Sequence, residues 1–381
     1  MKKVAFIAPT YPVLSETFIQ TEVDSVKACG HDVCVLAFEI ENSDKSFEYD
    51  IIKIGQNAKL SQIAKVNWLG FFTAISFISK QTGLPRKSLF AYGVKLALQL
   101  AEKDIDHVHA HFCQHTASHA IVAAKLLNIT CSFVAHGHDV YEFAYDLEHK
   151  ISSSDFVVAV CKDMLTDFNR IAKGNVKLLH CGVNTQQFQL YPQKKVKHLH
   201  FAFLGRLVEQ KGLHYLIDAL APIAKPLNIH LDVIGTGELE QQLKLQVEQQ
   251  GLTRHVTFMG AKSHEWVKDN LPNYDSLIAP FCFSNTGCVD TGPLVLKEAM
   301  AVGTPVITTN IMGCKEIVTP DTGFLVNEKS VKELREAIEH FAKLSRQDKT
   351  ELGIRSRTRI EQSFNSFKQA KQLSHWIENP V

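Results

Sequence analysis

The chain has 381 residues, enough for two domains, and its 45% hydrophobic and 21% charged content is that of an ordinary globular protein. A formal net charge of +1 excludes a global field for nucleic acid or membrane, so any anion must be held by local features. Nine cysteines with no Cys-x-x-Cys spacing, and no secretory segment ahead of Val4, predict reduced thiols and a cytoplasmic location.

The first half alternates short apolar runs with helical stretches. Val4–Ala8, closed by Pro9, predicts a buried strand. A helix follows to Ala28, with Ser15 or Thr17 as its cap and Gly30 as its stop, and Val33–Ala37 is the next strand. Further strands are expected at 107–112, 132–135, 156–160 and 176–179. Continuous apolar strands separated by helices indicate a parallel, doubly wound sheet.

Residues 59–87 stand apart. Trp68–Ile78 is strongly apolar and is flanked by Lys59, Lys65, Lys80, Arg86 and Lys87. The run is too short to span a bilayer. A buried core helix is the favoured reading, and an interfacial helix with lysines on anionic head groups is the alternative.

His107, His109, His111, His115 and His119 crowd one region, but their spacing matches no recognised metal-ligand pattern. They are expected at the carboxyl end of a strand, and no metal site is assigned. Ala135-His136-Gly-His-Asp139 also closes a strand. There His136 is placed to meet a sugar hydroxyl or orient an acceptor, the alternative being a capping or structural histidine. Asp104-Ile-Asp106 precedes its strand and so lies at the end of the sheet away from ligands.

Tyr191–His198 is polar, basic and Pro-bearing, a linker. The alternation then restarts. Phe201–Leu204 predicts a strand, and the loop Gly205–Gly212 carries Arg206 and Lys211 where a nucleotide-binding unit places a diphosphate. Leu231–Glu238 is a second strand followed by a glycine turn. Strands are also expected at 256–260, 277–280 and 305–309, and two or three amphipathic helices over about 330–379.

Between the last two strands lies Asp290-Thr-Gly-Pro-Leu-Val-Leu-Lys-Glu298. Pro293 suits a first helical position. The amides from Thr291 to Val295, those of Gly292, Leu294 and Val295 among them, then form an anion site at the positive end of a helix. Asp290 in the turn and Glu298 on the helix supply carboxylates for vicinal diols. The combination suits a nucleotide sugar.

These residues resemble the retaining glycosyltransferases of family 4, often called glycosyltransferase group 1, in their bacterial exopolysaccharide, capsule and lipopolysaccharide branch. The resemblance rests on Gly205-Arg206…Lys211-Gly212, Ile234–Leu239, Asp290-x7-Glu298, Gly303–Val306, Glu316 and Gly323–Val326. In the first half it rests on Leu14–Ile19, His109–Phe112 and Ala135–Asp139. It departs at Asp290, where the family usually has Glu, and at Thr10–Ser15, where many members have a Gly-Gly loop.

The resemblance implies an α/β GT-B fold of two Rossmann-like, doubly wound domains facing across a cleft. Residues 1–190 would form the acceptor domain and 191–365 the nucleotide-sugar domain. Residues 366–381 would be a helix crossing back to the first. It implies that Arg206 and Lys211 neutralise the donor diphosphate, Glu298 holds the ribose, Asp290 holds the donor sugar and His136 lies near that sugar. The implied reaction moves a hexose from a UDP- or GDP-linked sugar to a glycan or lipid-linked glycan, with retention and without metal or other cofactor. Peripheral contact with the inner membrane face is a further expectation, and nucleic acid is not a partner. The alternatives are a non-catalytic nucleotide-sugar-binding subunit and a GT-B epimerase or phosphorylase.

Overall fold

A computed structural model describes residues 1–13, 16–41, 46–56, 58–190 and 199–380. Ser15 as a cap and the linker at 191–198 therefore lie outside the described residues. The chain divides into two units, Met1–Cys181 with Ser366–Val381, and Gly182–Asn365.

The first unit holds seven strands: β1 (Lys3–Tyr11), β2 (Asp32–Ile40), β3 (Asp50–Lys53), β4 (His107–His111), β5 (Thr130–Ala135), β6 (Phe156–Ala159) and β7 (Val176–Leu178). Their order is β3-β2-β1-β4-β5-β6-β7, with every pair parallel. Val4, Ala5, Phe6, Ile7 and Ala8 are fully buried, as a strand covered by helices on both faces requires. The helix Thr17–Ala28 starts one residue after Glu16, with no side-chain cap, so Thr17 is the first helical residue rather than the cap. The helix Ser366–Glu378 belongs to this unit and packs on Thr17–Ala28. It is pinned by a 2.8 Å hydrogen bond between His31 Nε2 and Ser374 Oγ, and by the amino terminus 3.1 Å from Glu378.

The second unit holds β8 (Leu199–Leu204), β9 (Ile229–Ile234), β10 (Val256–Gly260), β11 (Ser276–Ala279), β12 (Val306–Thr309) and β13 (Gly323–Val326). Their order is β10-β9-β8-β11-β12-β13, again all parallel. Phe201, Phe203, Leu231, Val233, Ile278 and Phe341 belong to its core. In each sheet the order reverses beside the first strand, between β1 and β4 and between β8 and β11. Open parallel sheets bind ligands at the carboxyl ends of the strands at such a reversal.

Every strand expected from the apolar runs is present. Two short edge strands, β3 and β13, were not anticipated as strands. His107 corrects the expectation for the histidine group. It is the first residue of β4, so it sits at the amino end, hydrogen-bonded to Thr130 and Ser132 and stacked on Phe156.

The favoured core-helix reading of the segment after Lys59 is also corrected. The helix Trp68–Ser79, capped by Asn67, buries Gly70, Ala74, Phe77 and Ile78. A Cβ on Gly70 would lie 1.9 Å from the carbonyl of Lys125, so the small residue lets two helices touch. The other face is uncovered: Trp68 is 79% exposed, Leu69 78% and Phe72 67%. The helix His115–Leu127, with a lesser contribution from Arg86–Glu102 through Phe71 against Phe90, covers only one side of Trp68–Ser79. Lys59 and Lys65 are paired with Glu102 and Asp104. No helix among the described residues is long and apolar enough to cross a membrane.

Candidate functional site

The loops after β8 and β11, the two strands at the reversal, come together in the second unit. Gly212 ends the first loop at φ +67°, and a Cβ there would fall 2.0 Å from the carbonyl of Pro280. Only glycine permits that approach. The Cys282 N–H donates to the Gln210 carbonyl at 3.0 Å, and the Asn285 N–H donates to the Glu209 carboxylate at 3.1 Å. This docking brings Lys211 Nζ to 2.9 Å from Asp290 Oδ1. The ammonium also lies 5.0 Å from the centre of the Phe281 ring. Lys211 is 14% exposed and Asp290 23%, so the pair is shielded but reachable. Arg206, on the same loop, is exposed and makes no side-chain hydrogen bond or ion pair among the described residues.

The helix after Asp290 runs from Leu294 to Ala301, with Pro293 at the cap (φ −59°, ψ 123°). Pro293 is thus the cap rather than the expected first helical residue, because its ψ is extended, and the helix starts at Leu294. The amides of Leu294 and Val295 have no carbonyl one turn earlier within the helix, which leaves them for an anion. Gly292 fixes the turn through its carbonyl, which accepts from the fully buried Lys297 Nζ at 3.2 Å. Gly313 braces the turn from behind. Its N–H donates to the Thr291 carbonyl at 3.0 Å, and a Cβ there would meet that same oxygen at 2.2 Å.

Glu298 lies about one and a half turns into the helix and is 7% exposed. Its Oε1 is 3.2 Å from His264 Nε2, and the His264 ring packs edge-on to Phe188 at 5.2 Å. The structure therefore gathers Arg206, Lys211, Asp290, Gly292, Leu294, Val295 and Glu298 within one unit. Sequence reasoning missed His264, Lys297, Gly313 and Phe281. Ser263 at a helix start was a signal for the position of His264, but nothing in its spacing pointed to Glu298.

His136 lies in the first unit, after β5. It caps the short helix Gly137–Tyr141: its ring accepts the Asp139 N–H, and Asp139 accepts the His136 N–H at 2.8 Å. The ring sits among Phe18 (4.5 Å between centres), Phe112 (4.8 Å) and His111 (6.0 Å, nearly parallel). The capping alternative thus describes its local role. Burial pushes the Asp139 carboxyl up to about 6, against the backbone hydrogen bonds it accepts from Cys113 and His136. Asp104 and Asp106 precede β4, at the end of the sheet away from ligands, where Asp104 pairs with Lys65 and Asp106 accepts the Lys3 N–H.

Two Rossmann-like parallel sheets, one carrying a basic loop against a carboxylate-bearing helix start, define a GT-B fold. Residues 186–359 match the model for glycosyl transferases group 1, and residues 15–187 match that for glycosyltransferase family 4. The chain belongs to the family 4, group 1 glycosyltransferases. The amylovoran biosynthesis glycosyltransferase AmsK of Erwinia amylovora is 25% identical over 409 residues, covering 99% of both chains. The capsular polysaccharide biosynthesis glycosyltransferase CapM of Staphylococcus aureus is 27% identical over 241 residues, 60% of this chain and 58% of CapM. Among solved structures, sucrose-phosphate synthase from Thermosynechococcus elongatus superimposes with a TM-score of 0.74 at 19% identity, covering 100% and 99% of the two chains. Anabaena HepE in complex with UDP-glucose gives 0.72 at 16% identity, covering 100% of both chains. At these identities the structural likeness speaks for the fold.

Proposed function

We propose that this chain transfers a hexosyl group from a UDP- or GDP-linked sugar to a hydroxyl of a glycan or lipid-linked glycan, with retention at the anomeric carbon, in the synthesis of a cell-surface polysaccharide. The observation that carries the reading is the Lys211–Asp290 pair beside the open amides of Leu294 and Val295. The names of AmsK and CapM support the polysaccharide assignment.

In this reading the donor diphosphate lies on the Leu294 and Val295 amides, between Arg206 and Lys211. Lys211 spends one of its three N–H groups on Asp290 and keeps two for phosphate oxygens. As the bond from the anomeric carbon to the phosphate oxygen breaks, the electron pair leaves with the diphosphate. The charge that grows there is met by donors already in place. Glu298, braced by His264, accepts from the ribose hydroxyls, and Asp290 accepts from hydroxyls of the donor sugar. His136 is assigned to the sugar or acceptor hydroxyls in the first unit.

The test is a thermal-shift series with UDP-, GDP- and ADP-sugars, followed by donor turnover with and without acceptor. One nucleotide class should raise Tm and be slowly hydrolysed. No stabilisation by any of them would overturn the reading. Because Arg206, Lys211 and the helix amides supply the positive charge, added magnesium or manganese should leave turnover unchanged. A tenfold rise on adding either ion would refute that charge assignment.

The bare face of Trp68, Leu69 and Phe72 supports peripheral contact with the cytoplasmic membrane surface. Exposed Lys80, Arg86 and Lys87 lie on the same segment. Wild-type protein should co-sediment with liposomes rich in phosphatidylglycerol, and a folded Trp68→Ser/Phe72→Ser variant should not. Equal binding by both would sink the assignment.

A further inference from the structure

We propose that Glu22, His109 and His111 form a binding site for a zinc-class dication in the first unit. The inference does not depend on the transfer reaction proposed above. β4 alternates its side chains, so His109 and His111 share one face. Glu22 comes from the helix Thr17–Ala28 and reaches that face. Its Oε1 lies 3.3 Å from His109 Nε2 and 3.3 Å from His111 Nε2. All three donor atoms lie within 4.8 Å of one another.

The three atoms are buried, and none makes a hydrogen bond of acceptable geometry. At 3.3 Å the carboxylate is near enough to be an acceptor, yet neither ring nitrogen is aimed at it. Such a set either loses several hydrogen bonds for nothing or converges on something else. Zinc takes nitrogen and oxygen ligands at about 2.0–2.1 Å, and a tetrahedron of that size has edges of about 3.3 Å. Both Glu22 distances equal such an edge.

The surroundings support the same conclusion. His109 Nδ1 is 2.7 Å from Ser132 Oγ, an outer partner that holds its Nε2 as the ligating nitrogen. His111 lies against Phe6 and Phe18, apolar walls that make unpaired donors costly. The Glu22 side chain is 17% exposed, which gives an ion a route in. Two imidazoles and one carboxylate suit zinc rather than magnesium or calcium. Three protein ligands leave one position for water or a ligand hydroxyl.

A second His-His-Asp group shows the contrast. In the second unit, Asp232 Oδ2 lies 2.9 Å from His200 Nε2 and 2.9 Å from the Tyr274 hydroxyl, while His230 Nε2 is 3.0 Å from Thr257 Oγ1. Those groups satisfy one another. The Glu22 group does not. The His111 ring lies nearly parallel to that of His136, so an ion that fixed His111 would also fix the surface beneath His136. No local spacing signals the site, because Glu22 and the histidine pair come from separate elements.

Full-length protein would be stripped with a chelator, reloaded with Zn²⁺, desalted and submitted to elemental analysis. Wild type should retain a single zinc, and Zn²⁺ should raise its Tm. Co²⁺ in its place should give the intense visible absorption of a four-coordinate site. Glu22→Gln and His111→Ala should lose retention and the Tm response, while Asp232→Asn keeps both. Circular dichroism and nucleotide binding by the second unit report folding of each variant. Wild type that keeps no zinc and shows no Tm response overturns the proposal, whatever the variants do. So does retention by folded Glu22→Gln and His111→Ala variants, or loss in Asp232→Asn instead.

Discussion

Lys211→Ala should lower kcat/KM about 30- to 1,000-fold, equivalent to roughly 2–4 kcal/mol of lost transition-state stabilisation, in a protein that remains folded. The side chain stands at the edge of the unit's core, on a loop secured by Gly212, Gln210 and Glu209, so its removal takes away a charge rather than a support. The loss should fall mostly on kcat, because the diphosphate gains charge only as the sugar leaves it. Asp290 would be left without its cation, which adds to the effect. Steady-state kinetics with a melting curve check the outcome. Wild-type kcat/KM in a folded Lys211→Ala protein would show that the diphosphate lies elsewhere.

Asp290→Asn and Glu298→Gln should fail in different ways. Glu298 is assigned to the ribose, which changes little between ground and transition state. Its loss should weaken free nucleoside diphosphate and donor alike and mainly raise KM. Asp290 is assigned to the sugar, whose ring flattens and gains positive charge as the bond breaks. Asp290→Asn should lower kcat while leaving nucleoside diphosphate affinity nearly intact, since contacts that strengthen in the transition state act on turnover. The ion pair sharpens this expectation. Neutralising Asp290 releases Lys211 without removing it, so the phosphate side keeps its cation. Calorimetry on both variants decides. If Asp290→Asn loses nucleoside diphosphate as badly as Glu298→Gln, the two carboxylates act as one nucleotide clamp.

Much of this was legible in the sequence, for identifiable reasons. Buried parallel strands read as unbroken apolar runs, so Val4–Ala8 and Phe201–Leu204 announced themselves. The edge strand Asp50–Lys53 did not, because it is short and only half buried. The helix start after Asp290 was marked by its Gly-Pro pair, and the basic loop by its place after a strand. What could not be read were partners distant in the chain. Lys211 meets Asp290 across 79 residues, and His264 meets Glu298 across 34. The Glu22 group is a third case. The helix at Trp68 defeated periodicity for another reason. It is apolar on nearly every side, so the pattern could not tell which stripe its neighbouring helices would cover.

The helix Ser366–Glu378 gives the first unit a discontinuous chain, with consequences for how the protein is made and cut. The second unit is complete once Asn365 has left the ribosome, whereas the first must wait for its last helix to dock on Thr17–Ala28. The usual order of synthesis, with the earlier domain finished first, is therefore reversed. A premature stop at Ser366 would strip one wall from the first unit while leaving the second entire. Residues 182–365 are the natural segment to express alone for nucleotide binding. Residues 1–181 alone would leave the helix Thr17–Ala28 without the helix that packs on it.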